Sequence, residues 1–373
     1  MKGGFKIFRV LGIDVLVDYS WFIIFFLVTW SLVGGYFPMS YPGLPPASHW
    51  LMGLTSSLLL FGSVLLHELC HSYVANRFGQ GIHRIRLFIF GGVAELTHEP
   101  DDPVVEFDIA IAGPICSLTL HFIFSFLAYA AGPAPAFMVY KGIFLFLSYV
   151  NGALALFNLI PGFPLDGGRI LRSILWKRTG NIKKATRTAS SIGRYFALFL
   201  IIMGFFQVFK GDLVGGLWYV FIGMFLQHAA AMSYENVVMK DVLGKVLVRD
   251  VMVKDLVVIP GETAIDRVVE DYYFKYRFDS FPVSAGGVTD KVITLEGIKR
   301  VPKEQWQSLT AADCAQAVPR DLTIRPTDMV LYALQRMAER EFTQFFIVED
   351  GVIVGVISRH DVTKLLKVKV DLG

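Results

Sequence analysis

Two histidines and a glutamate occur as His67-Glu68-Leu69-Cys70-His71 inside the apolar stretch SVLLHELCHSYVANRFG. Side chains four residues apart on a helix are neighbours, so the two imidazoles face one way. Glu68 stands about 100° further round the helix, within reach of a water on an ion that both histidines share. This spacing with an intervening glutamate is a zinc-binding pattern in which the carboxylate serves as general base. An ionisable side chain at mid-bilayer costs at least about 2.5–3.5 kcal/mol, so a cluster of them needs compensation. A divalent cation provides it. The competing reading is a polar cluster that merely ties helices together.

Catalytic zinc takes three protein ligands and keeps one position open. In FNLIPGFPLDGGRILR the one carboxylate is Asp166. Pro161 and Pro164 forbid a continuous helix there, and Gly167 and Gly168 permit tight turns. Irregular backbone at membrane depth persists only where it lines a wet or protein-filled cavity. Asp166 therefore reads in two ways: carried to the metal on an extended segment, or capping a helix that begins near Arg169. His121 and His228 stand alone in apolar helices and read as packing residues. His49, His83, His98 and His360 fall in loops or soluble parts without a ligand-spaced partner. Cys70, Cys116 and Cys314 show no C-x-x-C and no even framework, which argues against disulfides and a zinc ribbon.

The elements that position these residues follow from composition. The chain has 373 residues, 54% hydrophobic and 18% charged. Soluble domains sit near 45–50% and about 25%. Nearly all long apolar runs lie between 19 and about 231, and six reach bilayer length: about 20–36, 51–78, 106–131, 138–160, 192–209 and 213–231. The last two read as a tight helical hairpin. A net charge of +3 is too mild to argue for nucleic acid. Lys2, Lys6 and Arg9, then Arg77, Arg84 and Arg86, then the basic run 169–187, all fall on one side of a six-span arrangement. The positive-inside rule puts that side, and both termini, in the cytoplasm.

The first eighteen residues alternate apolar and polar and read as one or two short strands. Ile85, Leu87 and Ile89 alternate with Arg86, Phe88 and Phe90 before Gly91-Gly92, which is strand chemistry followed by a bend or close backbone approach. After about 235 short strands alternate with amphipathic helices, and 277–298 realigns with 340–362 on a shift of 64 residues. The fold expected is a polytopic α-helical membrane protein with a small membrane-associated β-sheet and a C-terminal α/β repeat pair. The domains are 1–235 and 236–373, with repeats at about 245–302 and 308–370 joined by 300–312.

HELCH together with NLIPGFPLDGG from Asn158, GGVA at 91–94 and AGP at 112–114 resembles the site-2 protease family of intramembrane zinc metalloproteases. The resemblance spans most of 1–231 and keeps every polar position; Cys70 stands at a variable place, commonly Gly. It implies one zinc per chain on His67, His71 and Asp166, with Glu68 activating water. It further implies that Asn158, which otherwise reads as a helix-ending residue, contacts the substrate or the oxyanion. The strand ending at Gly91 and Gly92 is similar to that family's sheet, which clamps substrate by strand addition. The reaction implied is hydrolysis in or near transmembrane helices of membrane-anchored proteins, as regulated intramembrane proteolysis in the cell membrane. Water would enter from the cytoplasmic side near Asp166.

The C-terminal pair resembles tandem CBS domains through VRDVM at 248–252, DSFPV at 279–283 and VEDGVIVGVISRHDV at 348–362. That family implies a cytoplasmic regulatory domain binding ATP, AMP or a related adenine nucleotide through Ser358 and Asp361, with Thr294 the remaining match in the first repeat. It also implies a homo-oligomer, a dimer through these domains. Ser358 and Asp361 read equally as a helix cap. The alternative for the whole chain is a CBS-gated transporter or channel using the His/Asp cluster as an ion path. Glu68 argues against it, since transport has no special need of a carboxylate beside the first histidine.

Overall fold

The computed structural model describes residues 4–89, 91–95, 100–276, 278–340 and 342–372. Lys2, Phe90, His98, Arg277 and Glu341, which figure in the reading above, lie outside them. The chain divides into two units, Met1–Glu235 and Asn236–Gly373.

The first unit starts with strands β1 (Gly4–Val10) and β2 (Ile13–Asp18). Helix α1 (Tyr19–Ser31) passes through a π-turn (Leu32–Tyr36) into α2 (Phe37–Ser40), and α3 spans Pro46–Arg77. Strands β3 (Arg84–Phe88) and β4 (Gly91–Glu95) precede α4 (Pro103–Ala130), α5 (Met138–Asn158) and α6 (Asp166–Thr179). Helices α7 (Ile182–Phe209) and α8 (Leu213–Leu243) follow.

Among the described residues six helical segments have the length and apolarity to cross a membrane: 19–40, 46–77, 103–130, 135–158, 182–209 and 213–243. The last two run well beyond the apolar windows 192–209 and 213–231. Hydropathy marks only the lipid-facing part of a helix, and their polar ends continue past it. Phe22, Phe26, Phe122, Phe126, Phe199 and Phe205 are exposed, as side chains facing acyl chains must be. Helix starts follow local chemistry. Asp18 caps α1 by accepting from Ser20 N at 3.0 Å, and these bonds hold its carboxyl below the usual range. Asp102 caps α4 by accepting from Val104 N at 2.6 Å.

Lipid offers no hydrophobic drive for helix association, so close packing through small residues takes over. Gly53, Ser56, Ser57, Ser63, Gly142 and Ser148 are buried in α3 and α5. The sheet has the order β1-β2-β3-β4. Gly91 and Gly92 belong to β4, paired antiparallel with β3, rather than to a bend that ends it. Ile13, Val15, Val17, Ile85 and Leu87 form one apolar face that packs with Leu69, Ala75 and Ile109. The sheet thus seats on the α3 turn that carries HELCH.

The second unit holds two sheets. One is β5 (Ile259–Pro260), β6 (Ser280–Ala285), β7 (Val288–Thr294) and β8 (Gln316–Ala317); the other is β9 (Thr323–Ile324), β10 (Gln344–Glu349) and β11 (Val352–Ser358). Helices α9 (Ile265–Arg267), α10 (Phe274–Tyr276), α11 (Leu295–Lys299) and α12 (Ala311–Cys314) accompany the first; α13 (Val330–Arg340) and α14 (Arg359–Leu372) accompany the second. Equivalent residues of the two repeats meet one another. Thr343 Oγ1 donates to Asp279 at 2.8 Å, and Gln344 Nε2 to Ser280 O at 2.9 Å, both pairs 64 residues apart. The packing units cross the sequence repeats: Val246 and Val248 sit in the core of β9–β11, while Ala311 sits in that of β5–β8.

Candidate metal centre

His67 and His71 leave the same face of α3, and both are buried. Their Nε2 atoms are 3.1 Å apart, and Asp166 Oδ2 lies 3.2 Å from each. Ligand atoms at 2.0–2.1 Å from a tetrahedral zinc are separated by about 3.3–3.4 Å. The near-equilateral triangle therefore has the edge length that such an ion needs.

The donor chemistry agrees. His71 Nδ1 is 2.6 Å from Ile109 O. A carbonyl only accepts, so Nδ1 carries the proton and Nε2 presents a lone pair. His67 Nδ1 is 2.8 Å from Ser117 Oγ, which holds that ring in place. The His71 lone pair meets a carboxylate oxygen at 3.2 Å with no proton of its own to share, a contact that repels unless a cation stands between them. The three residues fit zinc on these grounds.

Helix α4 supplies the rest of the cradle. A Cβ on Gly113 would overlap Nε2 of both histidines, so only glycine lets the helix come so close.

Asp166 is the first residue of α6 and does not cap it; the cap position is Leu165, with no side-chain bond. The helix begins at Asp166, three residues before the start expected near Arg169. The irregular stretch ahead of it is held by Phe163 N donating to Ala189 O at 3.2 Å and Gly162 N to Ile160 O at 2.8 Å. Gly167, Gly168 and Gly193 each lie where a Cβ would strike backbone. Helix α6 is fastened to α4 by a buried ion pair: Arg172 Nε donates to Glu106 Oε1 at 2.7 Å, and Nη2 reaches the same oxygen.

A cavity of about 630 Å³ opens on this triangle, with Glu68, Gly91, Gly92, Asn158 and Arg169 among its walls. Gly92 is so close to Glu68 that a Cβ would overlap its Cγ. Asn158 ends α5, and its side chain has no hydrogen-bond partner among the described residues. Reasoning from sequence missed Ser117, the Ile109 carbonyl, Gly113 and the Glu106–Arg172 pair. An acidic residue at the head of an apolar helix was a signal for Glu106; a serine in a lipid-length helix is too ordinary to mark Ser117.

The remaining candidates are placed elsewhere. His121 Nδ1 is 2.8 Å from Ser148 O and serves helix packing. His49 is in the first turn of α3, not a loop, and its Nε2 contacts Tyr41 O at 3.0 Å. Ser358 N and Oγ both donate to Asp361 Oδ2, at 2.9 and 2.5 Å, and Thr294 accepts from Gly297 N at 3.1 Å. Ser358, whose Oγ accepts from Asp361 N at 3.3 Å, and Thr294 are helix caps, and Asp361 in the first turn of α14 closes the box with Ser358. Ser358 also lines a cavity of about 500 Å³ with Asp279, Thr343 and His360.

Six bilayer-length helices among the described residues, together with a His-His-Asp triangle, define a multi-pass membrane protein with a metalloprotease-like centre. The profile of Peptidase family M50 matches residues 55–140 and 130–203, and that of the CBS domain matches 315–368. Rip3 of Mycobacterium tuberculosis is 33% identical over 99% of this chain and 94% of its own. Zinc metalloprotease MJ0392 of Methanocaldococcus jannaschii is 28% identical over 99% of this chain and 97% of its own. The solved site-2 protease from the latter organism is 29% identical, covering 62% of this chain and 95% of that one with a TM-score of 0.42. The chain belongs to Peptidase family M50, the site-2 protease family, and is a zinc metalloprotease of that family with a C-terminal CBS domain.

Proposed function

We propose that this chain hydrolyses peptide bonds in or near transmembrane helices of membrane-anchored proteins, as regulated intramembrane proteolysis. The observation that carries the reading is the His67–His71–Asp166 triangle on the wall of a cavity that also holds Glu68. The zinc that these residues would hold supplies Lewis acidity and acidifies water. Glu68 takes a proton from the attacking water as its oxygen bonds to the carbonyl carbon. It returns that proton to the leaving nitrogen as the C–N bond breaks. Asn158, with its amide unengaged, donates to the carbonyl oxygen as charge develops there. Strand β4 offers backbone at Gly91 and Gly92 to an unwound substrate segment, since a helical substrate hides its carbonyls.

In this reading the basic connections face the cytoplasm, with both termini and the 236–373 unit on that side. That unit regulates the protease, dimerises it and takes an adenine nucleotide in the cavity beside Ser358. Binding there requires Asp361 to release the serine hydroxyl.

Glu68→Gln tests the central assignment. The purified variant keeps its zinc and loses cleavage of a co-expressed membrane-helix substrate. Retained cleavage removes Glu68 from the chemistry. Asp166→Ala, by contrast, loses zinc as measured by elemental analysis.

A further inference from the structure

Arg169 is a cation that the fold does not need for its own neutralisation. It follows Asp166 by three residues on α6, so the two side chains share a helix face. It lines the same cavity as His67, Glu68 and Asn158. Its Nε is 4.0 Å from Glu106 Oε1, at the outer limit of an ion pair, and its side chain is 22% exposed. Arg172 already holds that oxygen from two nitrogens. Glu106 Oε2 is buried with no partner among the described residues. If Arg169 were there to satisfy Glu106, it would use that oxygen. Glu106 thus faces two guanidinium groups and does not by itself neutralise Arg169; Glu68 and Asp166 line the same cavity, but their charge is opposed by the zinc that the triangle would hold. Arg169 also lies within electrostatic reach of Glu68.

A cation held in a low-dielectric cavity is costly unless something negative arrives. Resting on the hydrolase reading, we infer that Arg169 is the product-carboxylate site: it grips the new C-terminal carboxylate on the acyl side of the cut. Hydrolysis turns a neutral amide into a carboxylate and an amine, so this anion exists only after the bond has broken. The planar fork of a guanidinium matches both carboxylate oxygens, which a lysine ammonium cannot do.

The test uses the full chain in detergent, zinc-loaded and carrying Glu68→Gln so that nothing turns over. Its probes are one apolar dodecapeptide made with a free C-terminal carboxylate and again as the carboxamide. The ratio of their dissociation constants is read by fluorescence anisotropy. A charge-assisted bidentate contact predicts about tenfold or greater preference for the acid. Arg169→Gln lowers that ratio at least about fivefold with zinc content and amide binding unchanged. Arg169→Lys, which keeps the charge that faces Glu106, gives an intermediate ratio and serves alone if the glutamine variant fails to fold. A ratio unmoved by either variant, or no acid preference in the parent, overturns the inference. Failure of the hydrolase reading is separate: the chain with Glu68 intact then cuts no substrate, whatever the binding ratio.

Discussion

Gly113→Ala places a methyl group against both imidazoles. Its Cβ would stand 2.5 Å from His67 Nε2, whereas ordinary contact begins at 3.4 Å. Restoring contact requires a shift of about 0.9 Å (3.4 − 2.5), and His71 Nε2 is closer still. Metal–ligand distances tolerate about 0.2 Å. The shift is therefore more than four times the tolerance, and at least one imidazole must leave the triangle. Disturbing the partners behind metal ligands costs about 10–100-fold in affinity, so displacing a ligand costs about 100-fold or more. That is about 2.8 kcal/mol at 1.4 kcal/mol per factor of ten. Chelator competition on the purified chain measures it, and a thermal melt with and without EDTA supports it. The parent loses stability when EDTA strips its zinc; the variant melts at one temperature in both. A Gly113→Ala protein binding zinc within about threefold of the parent would refute the reasoning.

Gly92→Ala pushes on Glu68 and on no member of the triangle, so proteolysis falls at least about tenfold while zinc content stays at one per chain; zinc loss would show that β4 braces the metal site instead. Ser117→Ala removes the hydroxyl at His67 Nδ1 and weakens zinc binding about 10–100-fold, read by the same chelator competition, with near-parent affinity as the contrary result. Glu106→Gln leaves Arg172 buried and uncompensated, a loss of about 3–5 kcal/mol. Glu106→Gln combined with Arg172→Met recovers part of it in a denaturant titration in detergent, and strict additivity of the two would dissolve the pairing.

Much of the architecture was legible from residue type. Alternation in the first eighteen residues marks β2, whose Ile13, Val15 and Val17 pack with Leu69 and Ile109 and so must be apolar at every second position, and β1 pairs with it as an exposed edge strand. The shift of 64 residues reappears as Asp279–Thr343 and Ser280–Gln344, since copies of one unit bury one another's equivalent surfaces. The start of α6 was less legible. Proline and glycine announce a break but do not say on which residue the helix resumes.

Sequence alone determined that His67 and His71 point the same way, because helical periodicity is a local property that four intervening bonds enforce. It determined the apolar spans for a similar reason: each residue's transfer cost adds along the chain. Only the tertiary structure decided which carboxylate completes the triangle, 99 residues from His67 and 95 from His71. It also decided that Ser117 and the Ile109 carbonyl fix the rings and that Gly113 makes room for them. Those contacts depend on how α4 and α6 pass α3, and crossing geometry is set by packing of whole helix faces rather than by any one segment's preferences.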